Sequence, residues 1–242
     1  MTTKEKMNTN KKTAISVGVL MLLATVTYMT GSGLLQSTLN LPDYLLNIYT
    51  NRTQVIFGVF LEFVDATAVV GIGILMFPIL KKHNEAIALG YAGTRIIEFI
   101  LIIVSGISLL LLIPLSQEYA QVGASDVAYF QTLGNLFIEQ SDLAFQIAMI
   151  ALGLGSLPFC YLLYKSKLIP RWLSGLGFIG YAALLAGGLL VIFGSNLNLV
   201  LYIPGGLFEL IFPIWLFVKG FNLSAIASDS AKTATNEILS AA

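Results

Sequence analysis

Seven polar side chains stand inside long apolar runs, spaced so that they could act together. Glu62 and Asp65 are three residues apart, as are Arg95 and Glu98. On a helix each pair shares one face. Asp142 and Gln146 follow Glu139 at i, i+3 and i+7, again on one face, and Glu209 comes shortly after Pro204-Gly205-Gly206. A charge at the centre of a bilayer costs a few kcal/mol or more, so each of these groups should face protein and have a partner. The charges are unequal: one Arg stands against Glu62, Asp65, Glu98, Asp142 and Glu209. Arg stays protonated and can hold one or two carboxylates ionised. The remaining acids must be protonated, reach water or hold a cation. Three chemistries are compatible with this set. They are a bridge that fastens helices, a site for a small molecule, ion or proton, and a carboxylate pair doing acid–base work. No single residue points to catalysis.

Other motifs carry less. Gly175-Leu176-Gly177-Phe178-Ile179-Gly180 matches the dinucleotide pattern, but the preceding strand and following acid are missing. Small residues at such spacing are expected to let helices approach closely in lipid. Pro and two Gly before Glu209 predict a bend with loosened carbonyls beside a carboxylate. With one Cys and one His, a disulfide framework and the usual thiolate or imidazole metal centres are excluded. No cofactor motif is present. Asn51-Arg52-Thr53 matches the glycosylation sequon but lies too close to an apolar run to be informative.

The elements that must position these residues follow from composition. Hydrophobic residues make up 57% of the 242, charged residues 11%, the formal net charge is zero and the mean hydropathy is +0.84. Average soluble domains carry about 25% charge. A soluble enzyme, a disordered chain and a nucleic-acid binder are excluded, and the lipid bilayer is the expected partner. Spanning helices need about 20 mostly apolar residues. Six runs qualify, over about 13–35, 53–80, 86–114, 138–164, 173–193 and 199–218. The last two are separated at Gly194-Ser195-Asn196-Leu197-Asn198, a turn-rich cluster. The fold class is therefore all-α, a bundle of six transmembrane helices over 13–219, with polar tails at 1–12 and 220–242. The connection 36–52 is apolar enough to lie on the membrane as a short helix. The connection 115–137 is longer, with Ser125-Asp126 placed to cap a helix. No internal repeat is evident.

At 1.5 Å rise per residue, Arg95 and Glu98 lie about 13 and 18 Å from one face, and Glu62 and Asp65 about 14 and 18 Å from the other. With Glu209 they fall near the middle of a core about 30 Å thick, so one shared cluster is geometrically allowed. Asp142 lies nearer the outer face. Eleven of the thirteen Lys and Arg residues fall in the N-terminal stretch, the second and fourth connections and the C-terminal stretch. The positive-inside rule then places both termini in the cytoplasm, in a plasma (inner) membrane.

Four segments carry a family likeness. They are Phe77-Pro78-Ile79-Leu80-Lys81-Lys82-His83, Tyr91-Ala92-Gly93-Thr94-Arg95-Ile96-Ile97-Glu98, Asp142-Leu143-Ala144-Phe145-Gln146, and Leu168-Ile169-Pro170-Arg171-Trp172-Leu173-Ser174-Gly175-Leu176-Gly177. Together they resemble the bacterial membrane family called domain of unknown function 4386, over roughly residues 10–220. The resemblance implies a bacterial six-span inner-membrane protein without an assigned activity, and it draws attention to Arg95, Glu98 and Asp142. The residues favour a non-catalytic membrane subunit, sensor or scaffold. The alternative is transport or binding of a small molecule, cation or proton by the mid-membrane Arg and carboxylates. A lipid-modifying intramembrane enzyme is the third reading. A second copy or another membrane protein as partner stays open.

Overall fold

The computed structural model describes residues 3–121, 126–195 and 198–222. Seven helices make up this part and no strand occurs among the described residues. They are α1 (Thr3–Leu39), α2 (Tyr44–Thr50), α3 (Arg52–Leu80), α4 (Glu85–Gln121), α5 (Val127–Ser166), α6 (Arg171–Ile192) and α7 (Asn198–Val218). All except α2 are long and apolar enough to cross a membrane. Their number and order match the six expected spans. Large apolar side chains such as Ile74, Ile97 and Leu154 point outward in mid-helix. A surface of that kind suits lipid rather than water.

The six long helices form a ring. Each contacts its neighbour in the chain, and α7 returns to α1 to close the circle. Small residues set the close approaches. A Cβ on Gly31 of α1 would stand 2.7 Å from the Gly58 carbonyl of α3. One on Gly180 of α6 would stand 2.7 Å from the Gly205 Cα of α7. Apolar burial adds little between helices in lipid, so such contacts and a few polar bonds hold the ring. Gly177 and Gly180 of the dinucleotide-like motif face Phe208 and Gly205, the close helix–helix contact expected of them. Helix α7 runs unbroken through Pro204-Gly205-Gly206. Its Gly205 is where α6 comes close to α7.

Three connections differ from expectation. Helices α4 and α5 have 37 and 40 residues, about 55 and 60 Å long. They continue through most of the connection read as 115–137. The reason is a second apolar core beyond the span, where Leu112, Leu115 and half-buried Tyr119, Phe130 and Phe137 meet. Asp126 stands at the start of α5 without a side-chain cap bond, and Ser125 lies outside the described residues. Helix α2 joins this core by burying Leu45 and Ile48, and Tyr44 Oη donates to Asn135 Oδ1 at 2.8 Å. It leans on the α4–α5 extension as well as exposing Leu46 and Tyr49. Helix α1 begins at Thr3, within the stretch read as a tail, because no Gly or Pro interrupts residues 3–12. Of the stretch read as a C-terminal tail, only 220–222 is described.

The two ends of the bundle differ. One carries the turns at Lys81-Lys82-His83 and Lys167–Pro170 together with Lys219, and is called the basic end. The other carries α2.

Candidate functional site

Helix α4 supplies the centre of the site. Arg95 and Glu98 are each 3% exposed although they sit in the middle of an apolar helix. Arg95 Nη1 donates to Glu98 Oε2 at 3.0 Å, one turn along. Arg95 Nε and Nη2 both donate to Tyr91 Oη, at 3.2 and 3.0 Å, one turn back. The guanidinium also lies 5.1 Å from the Tyr91 ring centroid. Gly73 of α3 makes room for it: a Cβ there would stand 3.2 Å from Arg95 Cβ. A guanidinium has five N–H donors. Three are used, and one on each Nη has no partner among the described residues.

These bonds all lie within one helix, which bears on the fastening reading. Other groups join the helices. Tyr181 of α6 donates to Glu209 Oε1 of α7 at 3.2 Å, and Tyr202 of α7 donates to Gln146 Oε1 of α5 at 2.6 Å. Ser105 of α4 and Ser141 of α5 share a hydrogen bond of 2.8 Å. Gln54 of α3 reaches the Leu34 carbonyl of α1 at 3.0 Å.

Inside the ring lies a cavity of about 120 Å³ to which all six long helices contribute. Its polar wall is Asp65, Arg95, Glu98 and Glu209. Its apolar wall includes Met21, Val69, Ile102, Met149 and Leu184. Asp65 is 6% exposed, and no described residue hydrogen-bonds its carboxyl or comes within ion-pair distance. Arg95 is within electrostatic range of Asp65, Glu98 and Glu209. With all groups ionised, three carboxylates would face one guanidinium.

Aromatic side chains stand on either side of the polar residues along the bundle. Toward the basic end Tyr91 stacks on Phe159 at 4.3 Å, and Phe212, Phe208 and Tyr181 extend this aromatic cluster. Toward the α2 end Tyr28 of α1 stacks on Phe145 of α5 at 5.5 Å, across the ring of helices. The wall is unevenly covered. Thr25, Tyr28, Phe145 and Glu209 are half-buried, whereas Met21, Asp65, Arg95 and Glu98 are buried. The cavity therefore comes nearest the surface beside α1 and α7.

Of the seven residues singled out from the sequence, four line the cavity: Asp65, Arg95, Glu98 and Glu209. Glu62 is half-buried beside Gly31, where a Cβ would be 3.3 Å from its Cγ, and does not line the cavity. Gln146 is buried but spends its amide oxygen on Tyr202. Asp142 is exposed, because its side of α5 turns outward. Tyr91 and Tyr181 were not anticipated. Tyr91 stands four residues before Arg95, a spacing that could have revealed it. Tyr181 meets Glu209 only because α6 lies against α7. Among the described residues no group of three or more His, Cys, Asp and Glu side chains is arranged to hold a metal ion.

A ring of six long apolar helices around an acid-rich interior defines a multi-pass membrane protein of the all-α class. The chain belongs to the family described as Domain of unknown function (DUF4386), whose model matches residues 16–220. No curated protein and no solved structure matches it.

Proposed function

We propose that the protein binds a small organic cation in its central cavity and carries or senses it, with the Asp65 carboxylate as counter-charge. The carrying observation is that Asp65 is buried on the cavity wall without a partner. A structural bridge would leave no such group, since an unpaired buried charge costs several kcal/mol. The intrahelical placement of the Arg95 bonds supports the same reading, because a fastener would join two helices. The volume suits a ligand of a few heavy atoms: a dry engineered cavity of about 150 Å³ accepts benzene. An alkyl group would meet Met21, Val69 and Leu184, and an ammonium would meet Asp65 and Glu209. Entry beside α1 and α7 would expose the ligand to the bilayer side of the ring, which suits an amphipathic amine. In this reading the basic end lies in the cytoplasm with both termini, as the positive-inside rule requires.

The test is binding of small alkylammonium ions, methylammonium to butylammonium, to the purified protein in nanodiscs by calorimetry. A charge-assisted contact contributes about 1.5–3 kcal/mol, so Asp65→Asn should weaken binding about 10- to 100-fold while Asp142→Asn leaves it unchanged. Equal affinity in the Asp65→Asn variant, or no binding of any member of the series, returns the protein to the reading of a non-catalytic subunit or scaffold. Reporter fusions after residue 242 and in the Asp43–Asn51 connection should report opposite sides of the membrane.

A further inference from the structure

A second cavity, of about 460 Å³, lies at the basic end, far along α5, α6 and α7 from the central one. It is framed by the α5–α6 turn and the chain that follows α7. Lys167 ends α5 in the left-handed conformation, with φ 57°, so the chain turns sharply into Pro170 and the start of α6. Asn222 then ties the segment after α7 onto that turn. Its backbone N–H donates to the Leu168 carbonyl at 2.9 Å, and its side-chain amide donates to the Lys167 carbonyl at 3.3 Å. Phe221, 4% exposed, is buried beneath. The walls are thus held by hydrogen bonds and a buried ring.

Three cations line this cavity: Lys167, Arg171 and Lys219. No acidic side chain lines it, and none of the three forms an ion pair with a described residue. Arg171 is steered by the Tyr164 ring, 5.0 Å from its guanidinium. Three exposed cations around one cavity with no acidic side chain on its wall make a positive surface that attracts an anion. The start of α6, which has no side-chain cap, adds backbone donors of the same sign. The level in the membrane indicates which anion. Trp172 and Trp215 meet edge to face at 6.4 Å beside the cavity, and Trp172 is largely exposed. Tryptophan is enriched at the headgroup level of a bilayer, where its amphipathic ring is best accommodated.

The geometry points to a phosphate site for the headgroup of an anionic phospholipid, held by Lys167, Arg171 and Lys219 at the basic end of the protein. Arg171 provides the bidentate fork and the two lysines provide point charges. The acyl chains would run along α6 and α7 past Trp172 and Trp215. The site is separate from the central cavity and does not depend on what that cavity binds.

The test is ligand-induced thermal stabilisation of the detergent-solubilised protein, titrated with short-chain phosphatidylglycerol, short-chain phosphatidylcholine or inorganic phosphate. Phosphatidylglycerol should stabilise, and the other two should not. Each of Lys167→Gln, Arg171→Gln and Lys219→Gln should weaken the phosphatidylglycerol response about tenfold, the loss of one charge-assisted contact to the phosphate. The exposed side chains make these variants foldable, and an unchanged melting temperature without lipid checks that. The double variant Lys81→Gln/Lys82→Gln, at the same end but outside the cavity, should change the response less than about twofold, since neither residue lines the cavity and exposed charges out of contact are screened by salt. Equal stabilisation by phosphatidylcholine, an equal loss in the Lys81/Lys82 variant, or no loss in the three single variants overturns the site. Stabilisation by inorganic phosphate alone overturns the assignment to lipid.

Discussion

Replacing Asp65 by Asn should make the protein more stable while it loses its ligand. The two side chains have nearly the same shape, so no cavity opens and no neighbour is crowded. What changes is charge. In the native chain Asp65 is 6% exposed, and its carboxyl faces the cavity and accepts no hydrogen bond from any described residue. It also stands within electrostatic range of three carboxylates, those of Glu98, Glu209 and Glu62, against the single guanidinium of Arg95. Holding a carboxylate away from bulk water beside like charges costs about 1–3 kcal/mol. Asn removes the like-charge repulsion and brings an N–H₂ that can donate to the neighbouring carboxylates. A gain of about 1–3 kcal/mol corresponds to a rise in melting temperature of about 2–12 °C at this chain length. Thermal unfolding in nanodiscs, followed by tryptophan fluorescence, reads it directly. Glu98→Gln supplies the opposite sign. It removes the one carboxylate that hydrogen-bonds Arg95, and breaking a buried pair costs about 3–5 kcal/mol. A fall in melting temperature for Asp65→Asn comparable to that of Glu98→Gln would show that Asp65 holds the fold together, and would refute the reasoning.

Three further outcomes are expected. Arg95→Ala should destabilise by about 3–5 kcal/mol by stranding Glu98, and Arg95→Ala/Glu98→Ala should recover much of that loss, read as the coupling term of a double-mutant cycle in denaturant unfolding. Gly180→Val should separate α6 from α7, since its Cβ would meet the Gly205 backbone at 2.7 Å; overpacking of about 1–3 kcal/mol should appear as a smaller folded fraction on size-exclusion chromatography. Tyr202→Phe removes the donor to Gln146 and should cost about 0.6 kcal/mol, the average for hydrogen bonds between membrane helices, and no more than about 1.7, again by denaturant unfolding.

Much of the architecture is legible without coordinates because lipid leaves the backbone few choices. Every peptide group in the bilayer core must bond within its own helix or within a closed sheet. Uncharged runs of about 20 residues therefore translate almost directly into helices, and the six runs reappear in order as α1, α3, α4, α5, α6 and α7. The cost of a buried charge likewise marks Asp65, Arg95, Glu98 and Glu209 as inward-facing wherever their helices settle. Local spacing also suffices for the Arg95–Glu98 pair, three residues apart on one helix.

Which helices adjoin, and which polar groups meet, is settled by tertiary contacts alone. No periodicity in α1 or α7 announces that the first and last spans touch, so the closure of the ring is a tertiary fact. The same holds for the stacking of Tyr28 on Phe145 across it and for the meeting of Tyr181 with Glu209. Asp142 shows the limit most plainly. By charge and helical spacing it resembles the residues that line the cavity, yet it is exposed. A residue's helical face follows from its number, but the direction of that face depends on the rotation of α5 against α4 and α6. That rotation is set by where Gly153 and Gly155 allow Leu185 and Thr94 to approach. Hydrophobicity alone does not choose it, since both sides of the helix are apolar. Run length and residue type already require that charges lie inside a six-helix bundle. That Asp65 has no partner among the described residues follows from the packing, because it depends on the distances between side chains of different helices.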